Sequence, residues 1–294
     1  MKTRKYLLLM VAALILAACG TSRIVPVTGR KQSVYSNNAE ILTSSFSEYK
    51  NFVNTAKLST NANNTAMVKR VGQKLATAVE TYLRNNGYEA EVQNYNWEFN
   101  LVQDKQVNAF CMPGGKIVVY EGLLPVTQTE AALAIVLGHE IAHAVAYHSS
   151  EQYQKQIKQQ TIGQVAGAVL TSAGMGSNTA STLSTLYGLG SQMATLKYSR
   201  DNETEADHIG LIFAAMAGYD PNEAITFWQR MAASSNNSTP AFLSTHPTDA
   251  QRIAHIKKIL PEALKYYNKS GVSTSTSGKK KATTPKTTKT IRIK

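Results

Sequence analysis

The pentapeptide H-E-I-A-H at residues 139–143 constrains this chain more than any other stretch. It lies inside A-I-V-L-G-H-E-I-A-H-A-V-A-Y-H (134–148), whose Ala, Ile, Val and Leu predict a buried helix. On a helix, residues four apart share a face, so His139 and His143 present two imidazoles side by side. Two imidazoles at that pitch suit one tetrahedral Zn²⁺, and Glu140, one position round, can reach a water at the metal. The bland alternative is two core histidines and an incidental acid. It is weak, because an apolar helix gains nothing from burying three unpaired polar groups.

A hydrolytic zinc site uses three protein ligands and keeps one position open. The stretch S-R-D-N-E-T-E-A-D (199–207) offers the third ligand. Glu203 and Asp207, four residues apart, share one face of a second predicted helix. One carboxylate can bind metal while the other accepts a hydrogen bond from a ligating imidazole and fixes its tautomer. Glu205 turns off that face and is expected at the solvent surface. Taken alone, the segment could be no more than an acidic, solvated helix start.

The formal charge of +12 needs to be located before it is used. Lys2, Arg4 and Lys5 open the chain, and seven Lys and Arg lie in the last 25 residues without an acid, which leaves +2 for everything between. No basic face for nucleic acid is implied. A hydrophobic content of 43% against 17% charged is that of a globular protein. The cationic start, the apolar run Tyr6–Leu16 and the ending Leu16-Ala17-Ala18-Cys19 read as a secretory signal, too short for a comfortable membrane span. That ending resembles a bacterial lipobox, which implies a lipoprotein acylated on Cys19 and anchored to a bilayer. Gly20 after the Cys resembles the pattern for export to the outer membrane in Gram-negative bacteria, so the expected location is its periplasmic face. With Cys19 lipidated, Cys111 has no disulfide partner and is expected to be a small buried hydrophobe.

Along the chain, 1–18 is the expected signal peptide and 19–36 an acylated tether. Residues 37–268 form the catalytic domain, with a mobile lid or insertion at about 161–190, where Gly, Ala, Ser and Thr dominate. Residues 269–294 form a disordered Ser/Thr/Lys tail. Helices are expected at Asn37–Leu58, Thr65–Arg84, Thr129–Tyr147, Glu151–Gln160, Arg200–Ala217, Asn222–Ala233 and Thr248–Leu260, and strands at 96–102, 107–112 and 116–120. His148 falls at i+5 from His143, off the metal-binding face, while His208 and His255 are expected on the surface. Lys116, Ile117, Val118 and Val119 form a strand on which a peptide could pair as an added strand, or an ordinary internal strand.

H-E-I-A-H followed by E-T-E-A-D (203–207) resembles the H-E-x-x-H plus E-x-x-A-D signature of the HtpX-like and CAAX-prenyl-protease-like zinc metallopeptidases. N-A-F-C-M-P-G-G-K-I-V-V-Y-E-G-L-L (108–124), H-A-V-A-Y-H-S (143–149) and S-T-H-P-T-D-A-Q-R-I (244–253) fit the same family. Within it the chain looks most like the bacterial lipoprotein members of the LoiP and BepA kind. No helical-repeat stretch follows Leu260, which favours the LoiP-type architecture. The resemblance implies an α+β, mainly helical zincin fold of the gluzincin type, with a small antiparallel sheet beside the metal helix. It also implies one Zn²⁺ per chain on His139, His143 and Glu203, Glu140 as general base, and Asp207 as partner of a ligating His. His246 would then lie at the active site, stabilising the oxyanion or filling the open zinc position at rest. Arg252 would pair with Asp207 or another buried acid.

Two functions of different class follow. One is a membrane-anchored zinc endopeptidase that cleaves misfolded or misassembled envelope proteins. The other is a chaperone-like outer-membrane assembly factor that binds clients at a plugged, rarely active zinc site. The basic tail could meet anionic lipid headgroups or simply solubilise the chain.

Overall fold

Helix Glu130–Val145 carries the histidine pair and is buried on every side, as a helix apolar all round must be. Thr129 caps it by accepting a hydrogen bond from the Ala132 amide, and Glu130 sits at the positive end of its dipole. The computed structural model describes residues 20–172, 198–234, 240–246 and 250–269. Cys19, most of the expected lid and nearly all of the basic tail lie outside them.

In chain order the elements are β1 (Thr21–Ile24), β2 (Lys31–Val34), α1 (Asn38–Thr55), α2 (Ala62–Asn85), α3 (Glu89–Val92), β3 (Glu98–Val102), β4 (Ala109–Met112) and β5 (Lys116–Tyr120). They are followed by α4 (Leu124–Thr127), α5 (Glu130–Val145), α6 (His148–Ser172), α7 (Arg200–Met216), α8 (Glu223–Ser234), α9 (Ala241–Thr245) and α10 (Ala250–Lys269). The fold is therefore α+β and mainly helical. Helix α6 runs past Gln160 into the segment expected to be a lid, and α10 continues through Pro261 to Lys269. No helix among the described residues is long and apolar enough to cross a membrane.

The sheet has the order β3-β5-β4 and is mixed rather than antiparallel. β4 and β5 form an antiparallel hairpin, but β3 runs parallel to β5 on its other side, with Phe99 opposite Ile117. The turn explains this. Gly114 and Gly115 both take left-handed backbone, at φ +86° and +83°, and their carbonyls accept from the Asn96 and Glu98 amides. That ties the start of β3 to the start of β5, so the two strands run in the same direction.

The position of β5 corrects one expectation. Both of its edges are already paired, so Lys116, Ile117, Val118 and Val119 have no free backbone edge to offer a peptide. All four are buried, and Lys116 Nζ sits 3.4 Å from Glu98. The sheet edge next to α5 belongs to β4 instead.

The segment expected to be a tether is a packed hairpin. Val25 lies in the main core, Arg23 pairs with Glu91 over the Tyr147 ring, and Gln32 Nε2 donates to the Ala146 carbonyl at 2.6 Å. The hairpin therefore grips the corner between α5 and α6.

Helices α5 and α7 meet where two glycines face one another. A Cβ on Gly138 would stand 2.7 Å from the Gly210 carbonyl oxygen, and one on Gly210 would stand 2.6 Å from the His139 amide nitrogen. Both obstacles are backbone and cannot swing aside. This contact brings the carboxylates of α7 within reach of the imidazoles of α5. Gly210→Ala would gain about 1 kcal/mol of helix propensity, but separating two backbones costs roughly 1–3 kcal/mol or more. The expected result is a lower melting temperature together with weakened metal binding. Calorimetry with and without a chelator checks it, and a stabilised variant would contradict it.

Candidate metal centre

Four side chains from three parts of the chain converge at the junction of α5 and α7: His139, His143, Glu203 and His246, all buried. His139 Nε2 lies 3.1 Å from His143 Nε2 and 3.2 Å from His246 Nδ1. The Glu203 oxygens lie 3.4 Å from each of His139 Nε2 and His143 Nε2, and 2.9 Å and 3.1 Å from His246 Nδ1. Donors held about 2.0–2.1 Å from a tetrahedral zinc stand roughly 3.3 Å apart, so these spacings fit such an ion. Several ring nitrogens facing each other at these distances also require a cation or a proton between them.

The electrostatics point to the same need. Burial works to raise the Glu203 carboxyl, but hydrogen bonds from His139, His143 and His246 outweigh it and hold the group far below the usual carboxylate range. Burial and Arg252 push His139 down, yet Asp207 and Glu203 carry it up to about 9. Burial drives His143 well below its ordinary value. The buried acids of the cluster thus lean on the facing imidazoles and on Arg252, and a divalent cation held among the same donors would balance their charge.

Around the cluster, His139 Nδ1 lies 2.9 Å from Asp207 Oδ1, and Arg252 Nη2 donates to that same oxygen at 2.7 Å. Arg252 Nη1 reaches Glu203 at 3.2 Å, while the guanidinium lies 3.5 Å over the Trp228 ring. His246 ends α9, its amide donating to the Phe242 carbonyl and its ring stacked on Phe242. Glu140 is buried with Oε1 lacking a hydrogen-bond partner, 3.5 Å from His246 Nε2, and burial raises its carboxyl above the ordinary value. Every residue named from the sequence for metal binding or catalysis is therefore in one place. Cys19 lies outside the described residues, and Cys111 is buried and unpaired.

Four polar side chains stand elsewhere than the sequence predicts. Glu205 is buried, with Arg30 and Thr28 donating to it and His148 Nε2 at 3.0 Å. Its carboxyl is held at about 2, because hydrogen bonds from His148, Arg30 and Thr28 overcome burial. His148 is fully buried, with Nδ1 2.9 Å from His143 Nδ1. The i+5 estimate assumed a continuous helix, but α5 ends at Val145 and Tyr147 takes left-handed backbone at φ +57°, which swings His148 back onto His143. His208 and His255 are half-buried rather than exposed, His208 beside Glu262. Tyr198, which nothing in the sequence marked, stacks on His143 at 4.0 Å with its hydroxyl 2.9 Å from Ser149 Oγ.

Residues 62–260, more than half of the chain, match the family described as peptidase family M48. The chain belongs to peptidase family M48. The M48 match spans α2 through the first half of α10, and so contains the whole cluster. Among relatives, the mitochondrial metalloendopeptidase OMA1 of Schizosaccharomyces pombe is 41% identical over 174 residues, covering 58% of this chain and 49% of that protein. The beta-barrel assembly-enhancing proteases of Yersinia pestis and Escherichia coli are 32% and 29% identical over 163 residues, each covering 54% of this chain and 33% of the relative. This M48 chain thus spans about half or less of the length of the curated relatives it matches.

Proposed function

We propose that this protein is a zinc-dependent endopeptidase, anchored to a membrane through Cys19, that cleaves misfolded or misassembled envelope proteins. The observation that carries it is the buried set of three imidazoles and one carboxylate with Glu140 beside it. The lipobox-like leader supports an envelope location, and the name of the bacterial relatives, beta-barrel assembly-enhancing protease, supports substrates of that kind.

In this reading His139, His143 and Glu203 would hold one Zn²⁺, which would supply Lewis acidity toward a water and the scissile carbonyl. Glu140 accepts the proton of the attacking water at its unpartnered oxygen and passes it to the leaving amine. Asp207 keeps the proton of His139 on Nδ1, leaving Nε2 free as a ligand. Arg252 compensates the charge of Asp207 and Glu203 together. The peptide pairs along β4, the sheet edge beside α5.

His246 would supply a fourth ligand. Its Nδ1 points into the cluster and its Nε2 toward Glu140, so it covers both the site a substrate carbonyl needs and the base that serves it. This favours a resting plug over an oxyanion donor, and it also favours the second reading, a client-binding assembly factor that rarely cuts. His246→Ala is expected to raise kcat/KM toward unfolded casein several-fold. A fall of tenfold or more with zinc retained would instead make His246 part of the catalytic machinery. If Glu140→Gln fully complements a deletion strain, client binding rather than cleavage is the function.

A further inference from the structure

Four carboxylates alternate along the first turns of α7, Asp201 exposed and Glu203, Glu205 and Asp207 buried, and the zinc reading uses two of the buried three. Glu203 joins the cluster and Asp207 holds His139. Glu205 leaves by the opposite side yet is as buried as Glu203, at 7% exposure each. A buried carboxylate is costly unless its partners are arranged for it. Its partners form a line. Arg30 Nε donates to Glu205 Oε2 at 2.8 Å, Thr28 donates to Oε1, and His148 Nε2 stands 3.0 Å from Oε2. His148 Nδ1 in turn stands 2.9 Å from His143 Nδ1. Arg30 is itself fixed by Glu151 at 3.1 Å and by Gln32 at 3.0 Å.

One proton arrangement satisfies every contact in this line. His143 directs Nε2 at the cluster, so Nδ1 carries its proton and donates to Nδ1 of His148. His148 is then protonated on Nε2 and donates to Glu205, whose charge Arg30 balances. The same plan recurs on the other imidazole, where His139 donates directly to Asp207 and Arg252 stands behind. His143 is one imidazole further from its carboxylate.

We propose that His148, Glu205 and Arg30 are positioning residues: a relay that locks the ring and tautomer of His143 for zinc and has its outer end in the N-terminal hairpin. The proposal rests on the zinc reading of the cluster. It reaches beyond the matched family region, since Thr28 and Arg30 lie outside residues 62–260. The hairpin that follows Cys19 thereby becomes part of the metal site.

The test is zinc affinity of the full chain, measured by competition with a chromogenic chelator. The cobalt(II) visible spectrum is a second readout, and melting of the metal-free chain is a control. His148→Phe and Glu205→Gln are expected to weaken zinc by about 10–100-fold and to shift the cobalt bands. Arg30→Gln is expected to weaken it several-fold, and Arg30→Lys to recover part of that loss. Combining Arg30→Gln with His148→Phe should lose no more than His148→Phe alone, because the line is already cut. A merely structural network would lower the melting temperature and leave zinc affinity within about twofold of wild type, or give additive losses in the double variant; either overturns the relay. Arg30 is one-third exposed, so its variants carry the test even where His148→Phe fails to fold. A wild-type chain that binds no zinc overturns the zinc reading and the relay together. Wild-type binding with unchanged variants overturns the relay alone.

Discussion

Glu140→Gln is expected to lower kcat for cleavage of unfolded casein by about 10³-fold while the chain keeps its zinc. General acid–base catalysis contributes roughly 10²–10⁴-fold, and Glu140 is the carboxylate placed to supply it. It is buried beside the cluster, with one oxygen unpartnered and its carboxyl pushed up by burial. A base whose pKa rises toward the working pH both takes and returns a proton efficiently. Gln has nearly the same volume and carries no charge, so the packing of α5 and the ligand set are retained. Steady-state kinetics paired with metal analysis reads the effect. Equal cleavage by both proteins at equal zinc content would remove Glu140 from the reaction.

Arg252→Ala is expected to destabilise the metal-free chain by about 3–5 kcal/mol, the range for leaving a buried charge without its partner. Two buried carboxylates, Glu203 and Asp207, lean on this one guanidinium, and Trp228 is covered by it. In a domain of this size that corresponds to a fall in melting temperature of roughly 10 °C. With zinc bound the loss should shrink, because the dication replaces part of the missing charge. Arg252→Lys should recover little, since an ammonium cannot span both carboxylates as the planar fork does. Calorimetry on metal-free and zinc-loaded samples separates these outcomes. An identical loss in both states would mean that Arg252 acts through packing on Trp228 alone.

The parts of the site that obey helical periodicity were legible in the sequence. His139 and His143 on α5, and Glu203 and Asp207 on α7, were found because a four-residue spacing fixes a shared face. His148 and Glu205 were missed for the same reason. Periodicity extends a helix past its end, whereas the left-handed Tyr147 redirects the chain. Glu205 points away from the metal face, and its partners, Arg30 and Thr28 of the hairpin and His148 of α6, lie far away in sequence. That hairpin reads as a tether because residues 20–32 are polar with Pro26 and Gly29, and β1 and β2, at four residues each, are too short for alternation to show.

Strand existence was legible, but pairing was not. Alternation locates β3, and two apolar runs around the Pro113-Gly114-Gly115 turn locate β4 and β5, yet nothing local indicates that β3 would pass to the far side of β5. Gly138 and Gly210 belong to the same category. Each looks like a weak point in its own helix, and only their contact in space explains why α5 and α7 sit close enough to share a metal.

Zinc K-edge X-ray absorption on the purified full chain addresses the central claim most directly, because it reports the ligands themselves. One zinc per chain with three imidazoles and a carboxylate is expected for the wild type, and two imidazoles for His246→Ala. A chain that takes up no zinc, or a ligand count that His246→Ala leaves unchanged, would contradict the account.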